Sequence, residues 1–199
     1  RLAAEQLLRT GQAEQGVRVL DQAMQSVGMK LPRTTAEAAR WAFKENLMLV
    51  LRRKSVSPCS ERDVPQNALL RLDMCWTAGC ILSMTNALAG IVFSLRFIRS
   101  ALRLGEPSRA CRALSQLAVI SSITNPRKGR VTSDRQFEAA DRLAKLVDDP
   151  RTHAFLEFYK GYREAFRGKW KDGLRHLDEA ESLFRKNCRG AHWEIASTW

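Results

Sequence analysis

The chain has 199 residues, enough for one large domain or a single cooperative array. Hydrophobic residues make up 45% and charged residues 27%, proportions that exclude an intrinsically disordered chain. Thirty-three Lys and Arg against 21 Asp and Glu leave a net charge of +12, which biases partners toward anions.

Apolar residues recur at helical spacing along almost the whole chain, and no segment sustains strand-type alternation, so the fold class is all-α. Arms over 1–10 and 13–27 form the first hairpin, closed by Gly11 and ended by Gly28. Thr34 or Thr35 caps a helix over 36–53, with Glu37 in its first turn where it suits the helix dipole. Residues 54–64 hold Ser55, Ser57, Pro58, Ser60 and Asp63 and make the first long loop; Pro65 then opens a helix to about 83. The run 74–95 carries no charge over 22 residues, but Thr77, Ser83, Thr85, Asn86 and Ser94 interrupt it. Its content predicts two buried helices meeting at a turn over 84–86, not a membrane span. The second of these runs to 104, and Gly105, Glu106 and Pro107 stop it and start the next, which continues to about 123. Residues 124–132 form the second long loop, with Arg127, Lys128 and Arg130 beside Pro126. Ser133 is read as the cap of a helix over 134–147, ended by 148–150. The last hairpin has arms over 151–167 and 170–185 joined at Gly168, and short turns of this kind set neighbouring helices antiparallel.

Five cysteines, Cys59, Cys75, Cys80, Cys111 and Cys188, are odd in number and scattered, with no C-x-x-C pair. They read as free thiols in a reducing compartment, which places the chain in the cytoplasm. His153, His176 and His192 lie far from one another and from any cysteine at zinc-ligand spacing, so the sequence predicts no metal site and no cofactor. No phosphate-binding G-x-x-x-x-G-K-[ST] loop, kinase H-R-D or D-F-G segment, G-x-S-x-G or H-E-x-x-H motif is present. Paired carboxylates such as Glu157 and Glu164, or Asp178 and Glu181, fall at ordinary helical spacing and read as solvated faces or intrahelical ion pairs. The chain is therefore expected to be no enzyme. Aromatics including Trp41, Phe43, Trp76, Phe155, Phe158, Tyr159, Tyr162, Phe166 and Trp170 fall at helical spacing and read as core.

Self-comparison finds a repeat. Residues 11–23, GQAEQGVRVLDQA, match 168–180, GKWKDGLRHLDEA, at both glycines and at the Arg, Leu, Asp and Ala positions, with an offset of 157. Gly161, Gly168, Trp170, Gly173, Leu177 and Ala180 resemble the tetratricopeptide repeat, a helical hairpin with small residues where its arms meet. Glu157 and Lys160 stand where that family places Trp and Leu, so the array is degenerate. The resemblance implies antiparallel hairpins stacked as an α-solenoid. The whole of 1–199 reads as a single helical-repeat domain, with 1–27 and 151–185 its clearest hairpins. The phrases AAEQLL (3–8), VGMKLP (27–32), DMCW (73–76), ALRLGEP (101–107) and CRGAHWE (188–194) are similar to the C-terminal helical region of large bacterial signalling proteins. Those proteins join a Ser/Thr kinase to an ATPase module and then to a helical array. The chain opens on Arg1, and the helical pattern of 191–199 stops after about two turns, so it reads as an excised part of such a parent, with kinase and ATPase chemistry elsewhere.

Charge supplies the candidate binding residues. Lys160, Arg163 and Arg167 fall at i, i+3 and i+7, and Arg96, Arg99 and Arg103 repeat that spacing, so each set shares one helix face. The first helix of each tetratricopeptide hairpin lines a groove, which implies that Lys160, Arg163 and Arg167 meet an acidic peptide or another domain of the parent. The expected function is a non-catalytic interaction scaffold. The alternative is a basic helical module that binds nucleic acid or another polyanion.

Overall fold

The computed structural model describes residues 13–51, 56–124, 129–188 and 190–198. The first arm of the first predicted hairpin, 1–10, lies outside the described residues, as do Arg127 and Lys128. Every regular element among the described residues is helical. By packing, the chain divides into two compact units, the first of residues 1–55 and 62–103 and the second of 56–61 and 104–199.

The first unit holds α1 (Ala13–Ser26), α2 (Thr35–Val50), α3 (Gln66–Thr85) and most of α4 (Ala87–Leu104). Thr34 caps α2 by accepting from the Glu37 amide at 3.1 Å, while the Glu37 carboxylate reaches back to accept from the Arg33 amide at 2.8 Å. Pro65 lies one residue before α3, and its carbonyl accepts from Ala68 and Leu69. α3 runs through the turn expected at 84–86. Asn86 alone joins the two helices: its amide bonds back to the Leu82 carbonyl, and its side chain accepts from Ala89 at the start of α4. So tight a link needs the helices to touch. A Cβ on Gly90 would lie 2.7 Å from the Ser83 nitrogen, and one on Gly79 2.8 Å from the Ser94 hydroxyl, an antiparallel contact with no room for a side chain. Trp76 packs on Phe97 at 5.4 Å between ring centroids, and Val92, Phe93, Ile98 and Ala101 are fully buried.

The second unit holds α5 (Pro107–Thr124), α6 (Gly129–Ala144), α7 (Pro150–Phe166), α8 (Trp170–Asn187) and the short α9 (His192–Ala196). α5 packs against both α6 and α7, and α7 against α8. Buried Glu106 starts α5 by accepting from the Ser108 and Arg109 amides. Ser133 is not a cap. α6 begins four residues earlier, because Gly129 and Ser133 continue the buried stripe of Phe137, Ala140 and Ala144, and burial of that stripe outweighs the preference of serine for a helix end, worth about 1 kcal/mol. Asp149 caps α7, accepting from the Arg151 and Thr152 amides at 3.1 Å each and from the Thr152 hydroxyl at 2.6 Å; Ser108 of α5 meets that hydroxyl at 2.5 Å. Gly168 turns α7 into α8 at φ +74°, a left-handed conformation open to glycine at little cost. Across this turn a Cβ on Gly161 would lie 2.7 Å from Leu177 and 3.1 Å from the Gly173 carbonyl.

Candidate functional site

The cationic triplet of α7 faces α6. Residues at i, i+3 and i+7 on α7 share the face that packs there, so the acidic residues of α6 stand opposite. Lys160 Nζ lies 3.0 Å from Asp141, and Arg163 Nη1 lies 2.8 Å from Asp134. Arg163 also stacks over Phe137, 4.5 Å from the ring centroid. Its Nε stands 2.8 Å from Glu164 Oε1 but out of hydrogen-bonding alignment. Arg167 adds contacts of 3.4 Å to Glu164 and 3.8 Å to Asp134. The three cationic side chains are only 15–19% exposed, so a ligand for this face would have to displace carboxylates already in place.

The second triplet is divided. Arg96 Nε and Arg99 Nε reach opposite oxygens of Glu45 on α2 at 3.0 and 2.6 Å, and Arg96 also lies 5.3 Å from the Trp41 ring centroid and 5.2 Å from that of Phe93. Arg103 is exposed. Burial by itself raises the Glu45 pKa, but hydrogen bonds from Arg99 and Arg96 and their charges outweigh it and hold the carboxyl below its ordinary value.

A third constellation sits on the α7–α8 hairpin. Glu157 bonds Lys160 through Oε1 at 2.9 Å and the His176 Nδ1 through Oε2 at 2.6 Å. Glu179, one turn beyond His176, completes a set whose donor atoms all lie within 4.8 Å of one another. Burial opposes ionisation of Glu157, yet hydrogen bonds from His176 and Lys160 prevail and its pKa is lowered. Lys160 is raised, because its bonds to Glu157 and Asp141 outweigh its own burial. The sequence treats His176 as isolated, since its partner carboxylate lies 19 residues away. The signal available was hairpin register: once Gly161 is set opposite Gly173 and Leu177, Glu157 falls one turn away on the same side as His176.

The thiols of Cys75 and Cys111 lack the surroundings of nucleophiles. Burial pushes Cys75 and Cys111 up to about 12, although nearby arginines act in the opposite direction. No protein-family model, curated protein or solved structure matches the chain. Among the described residues, no helix is long and apolar enough to cross a membrane.

Proposed function

We propose that the chain is a non-catalytic interaction module whose exposed α2 face binds a protein segment that is apolar and acidic. The observation that carries this reading is a row of apolar side chains in water: Phe43, Leu47, Val50 and Leu51 are 71%, 43%, 72% and 72% exposed. Their spacing of i, i+4, i+7 and i+8 places them on one face, opposite the side that buries Ala38 and Glu45. An apolar surface of this kind is characteristic of protein-binding sites. Arg40 and Lys44, both exposed, fall beside the row and favour carboxylates in the partner, which fits a helix or peptide with acidic residues among its anchors. A degenerate tetratricopeptide-like arrangement is supported by the packing of α5 against α7 and by the burial of the small residues Gly161, Gly173 and Ala180, which resemble that family's small positions. On that resemblance the module regulates a bacterial signalling parent, and the bound segment belongs to that parent or to its partner.

The test places photo-reactive p-benzoylphenylalanine at Leu51 in the parent protein and sequences its adducts. Adducts concentrated on one segment rich in acidic and apolar residues, and lost with Phe43→Glu, are expected. Yields no greater than those from the same probe at exposed Glu138 would remove the assignment. The net charge of +12 favours a second reading, polyanion binding, but internal pairs occupy Lys160, Arg163, Arg167, Arg96 and Arg99. Nucleic-acid affinity that falls steeply with salt would restore it.

A further inference from the structure

We propose that Glu157, His176 and Glu179 form a binding site for a divalent transition-metal ion of the Zn2+ class, which pins α8 to α7. Their donor atoms already lie within 4.8 Å of one another. Donors each about 2.0–2.2 Å from a shared zinc stand at most about 4 Å apart, so closure needs a shift of an ångström or so. Glu179 is the exposed member and can supply it by side-chain rotation. The other two are held: the side chains of Glu157 and His176 are 16% and 17% exposed and bonded to each other. The metal would take the place of the proton shared between His176 Nδ1 and Glu157 Oε2.

Three further observations support a site beyond an incidental ion pair. Gly161 and Gly173 bring the two helix backbones together one turn away, which lets short side chains from opposite helices reach one ion. Asp141 is a second acceptor for Lys160, so Glu157 can turn to a metal without stranding that ammonium. The repeat framework does not demand the donors: the matching copy, 11–23, has Val19 and Gln22 where α8 has His176 and Glu179. An imidazole with two carboxylates suits Zn2+, Co2+ or Ni2+, whereas Mg2+ and Ca2+ prefer oxygen donors alone. Three protein ligands also leave a position for water. Charged groups beside the site include Lys160 of α7, Asp141 of α6 and Arg175 of α8, the last 3.2 Å from His176 Nε2. Arg175 disfavours a cation, so Arg175→Ala is expected to tighten binding.

The experiment titrates the metal-stripped 199-residue chain with Zn2+ by calorimetry and with Co2+ by visible absorption. One equivalent of Zn2+ is expected to bind, and Co2+ to give ligand-field bands without thiolate charge-transfer bands. Mg2+ should give no saturable heat. His176→Ala and Glu179→Ala should each weaken Zn2+ at least tenfold, since loss of even an outer partner of a ligand costs about 10–100-fold. Glu179 is exposed, so its variant keeps the test valid if His176→Ala does not fold. Zn2+ affinity unchanged in Glu179→Ala, thiolate bands with Co2+, or no saturable Zn2+ binding would each overturn the proposal.

Discussion

In the α3–α4 hairpin, Gly79 and Gly90 set the helix contact, and in the α7–α8 hairpin Gly161 and Gly173 do the same. What surrounds the contacts differs. Around α3–α4 the packing is apolar, with Trp76, Phe93 and Phe97, and the adjoining ion cluster converges on one carboxylate, Glu45, which serves both Arg96 and Arg99. Around α7–α8 charge is spread over a lattice in which Lys160 has two acceptors, Glu157 and Asp141, and Glu164 stands beside Arg163, Arg167 and Lys169. A node with a single acceptor fails when that acceptor is lost. A lattice with alternatives redistributes.

The largest expected effect separates the two glycine contacts. A Cβ at position 90 meets backbone, 2.7 Å from the Ser83 nitrogen and 2.8 Å from its Cα, so the helices themselves must part. At position 173 the nearest atoms, the Ala165 nitrogen and Gly161 carbonyl, are 3.1 Å away, and a shift of a few tenths of an ångström relieves them. Alanine also gains about 1 kcal/mol of helix propensity over glycine at either position. Gly90→Ala is therefore expected to destabilise by about 2–3 kcal/mol, near the upper end for overpacking, and Gly173→Ala to stay within about 1 kcal/mol of the unsubstituted chain. Urea denaturation measures both, and equal costs would show that the hairpins are equally tight.

Next comes the node. Glu45→Ala leaves two arginines without their shared acceptor, and because these are only about a quarter exposed, the expected cost is about 2 kcal/mol. The same carboxylate gives a pH dependence. Its folded-state pKa lies below the ordinary 4.5, so its contribution is complete above about that pH and is lost as the pH falls through the folded value. The urea midpoint of the unsubstituted chain should decline on that acid limb, and Glu45→Gln should decline less steeply. Parallel curves would assign the acid sensitivity to Asp149 and Glu157, whose pKa values are lowered as well.

Helical periodicity made the all-α class legible, and local chemistry made the cap at Thr34 legible, because a cap is decided within four residues; Asp149 reads in the sequence only as part of the stop of the preceding helix, although it caps α7. Ser133 misled, since the stripe that buries it is defined by what α6 packs against. The spacing of Lys160, Arg163 and Arg167 correctly put them on one face, but spacing carries no information about the opposing surface, and Asp134 and Asp141 come from a different helix. The Glu157–His176 pair was hidden for the same reason. Chain-local rules see one helix at a time, so pairs made by two helices stayed hidden; the same rules read Phe43, Phe166 and Trp170 as core, whereas they are 71%, 62% and 70% exposed, because helical spacing does not say which face is covered.

The smallest expected effect tests the lattice directly. Glu157→Gln removes a charge that Lys160 and His176 both contact, yet Lys160 retains Asp141 at 3.0 Å and the amide oxygen can still accept from one neighbour. Two compensations set the cost at under about 1 kcal/mol, in the range of partly exposed ion pairs and below that of Glu45→Ala. Redundancy also predicts a specific non-additivity. Once Asp141 is replaced by Asn, the Glu157→Gln change leaves the Lys160 ammonium with no carboxylate in contact, so the double variant should cost more than the two single changes together. A double-mutant cycle in urea reads this difference; strict additivity would mean that Lys160 does not share its charge between the two helices, and the contrast with the Glu45 node would lose its physical basis.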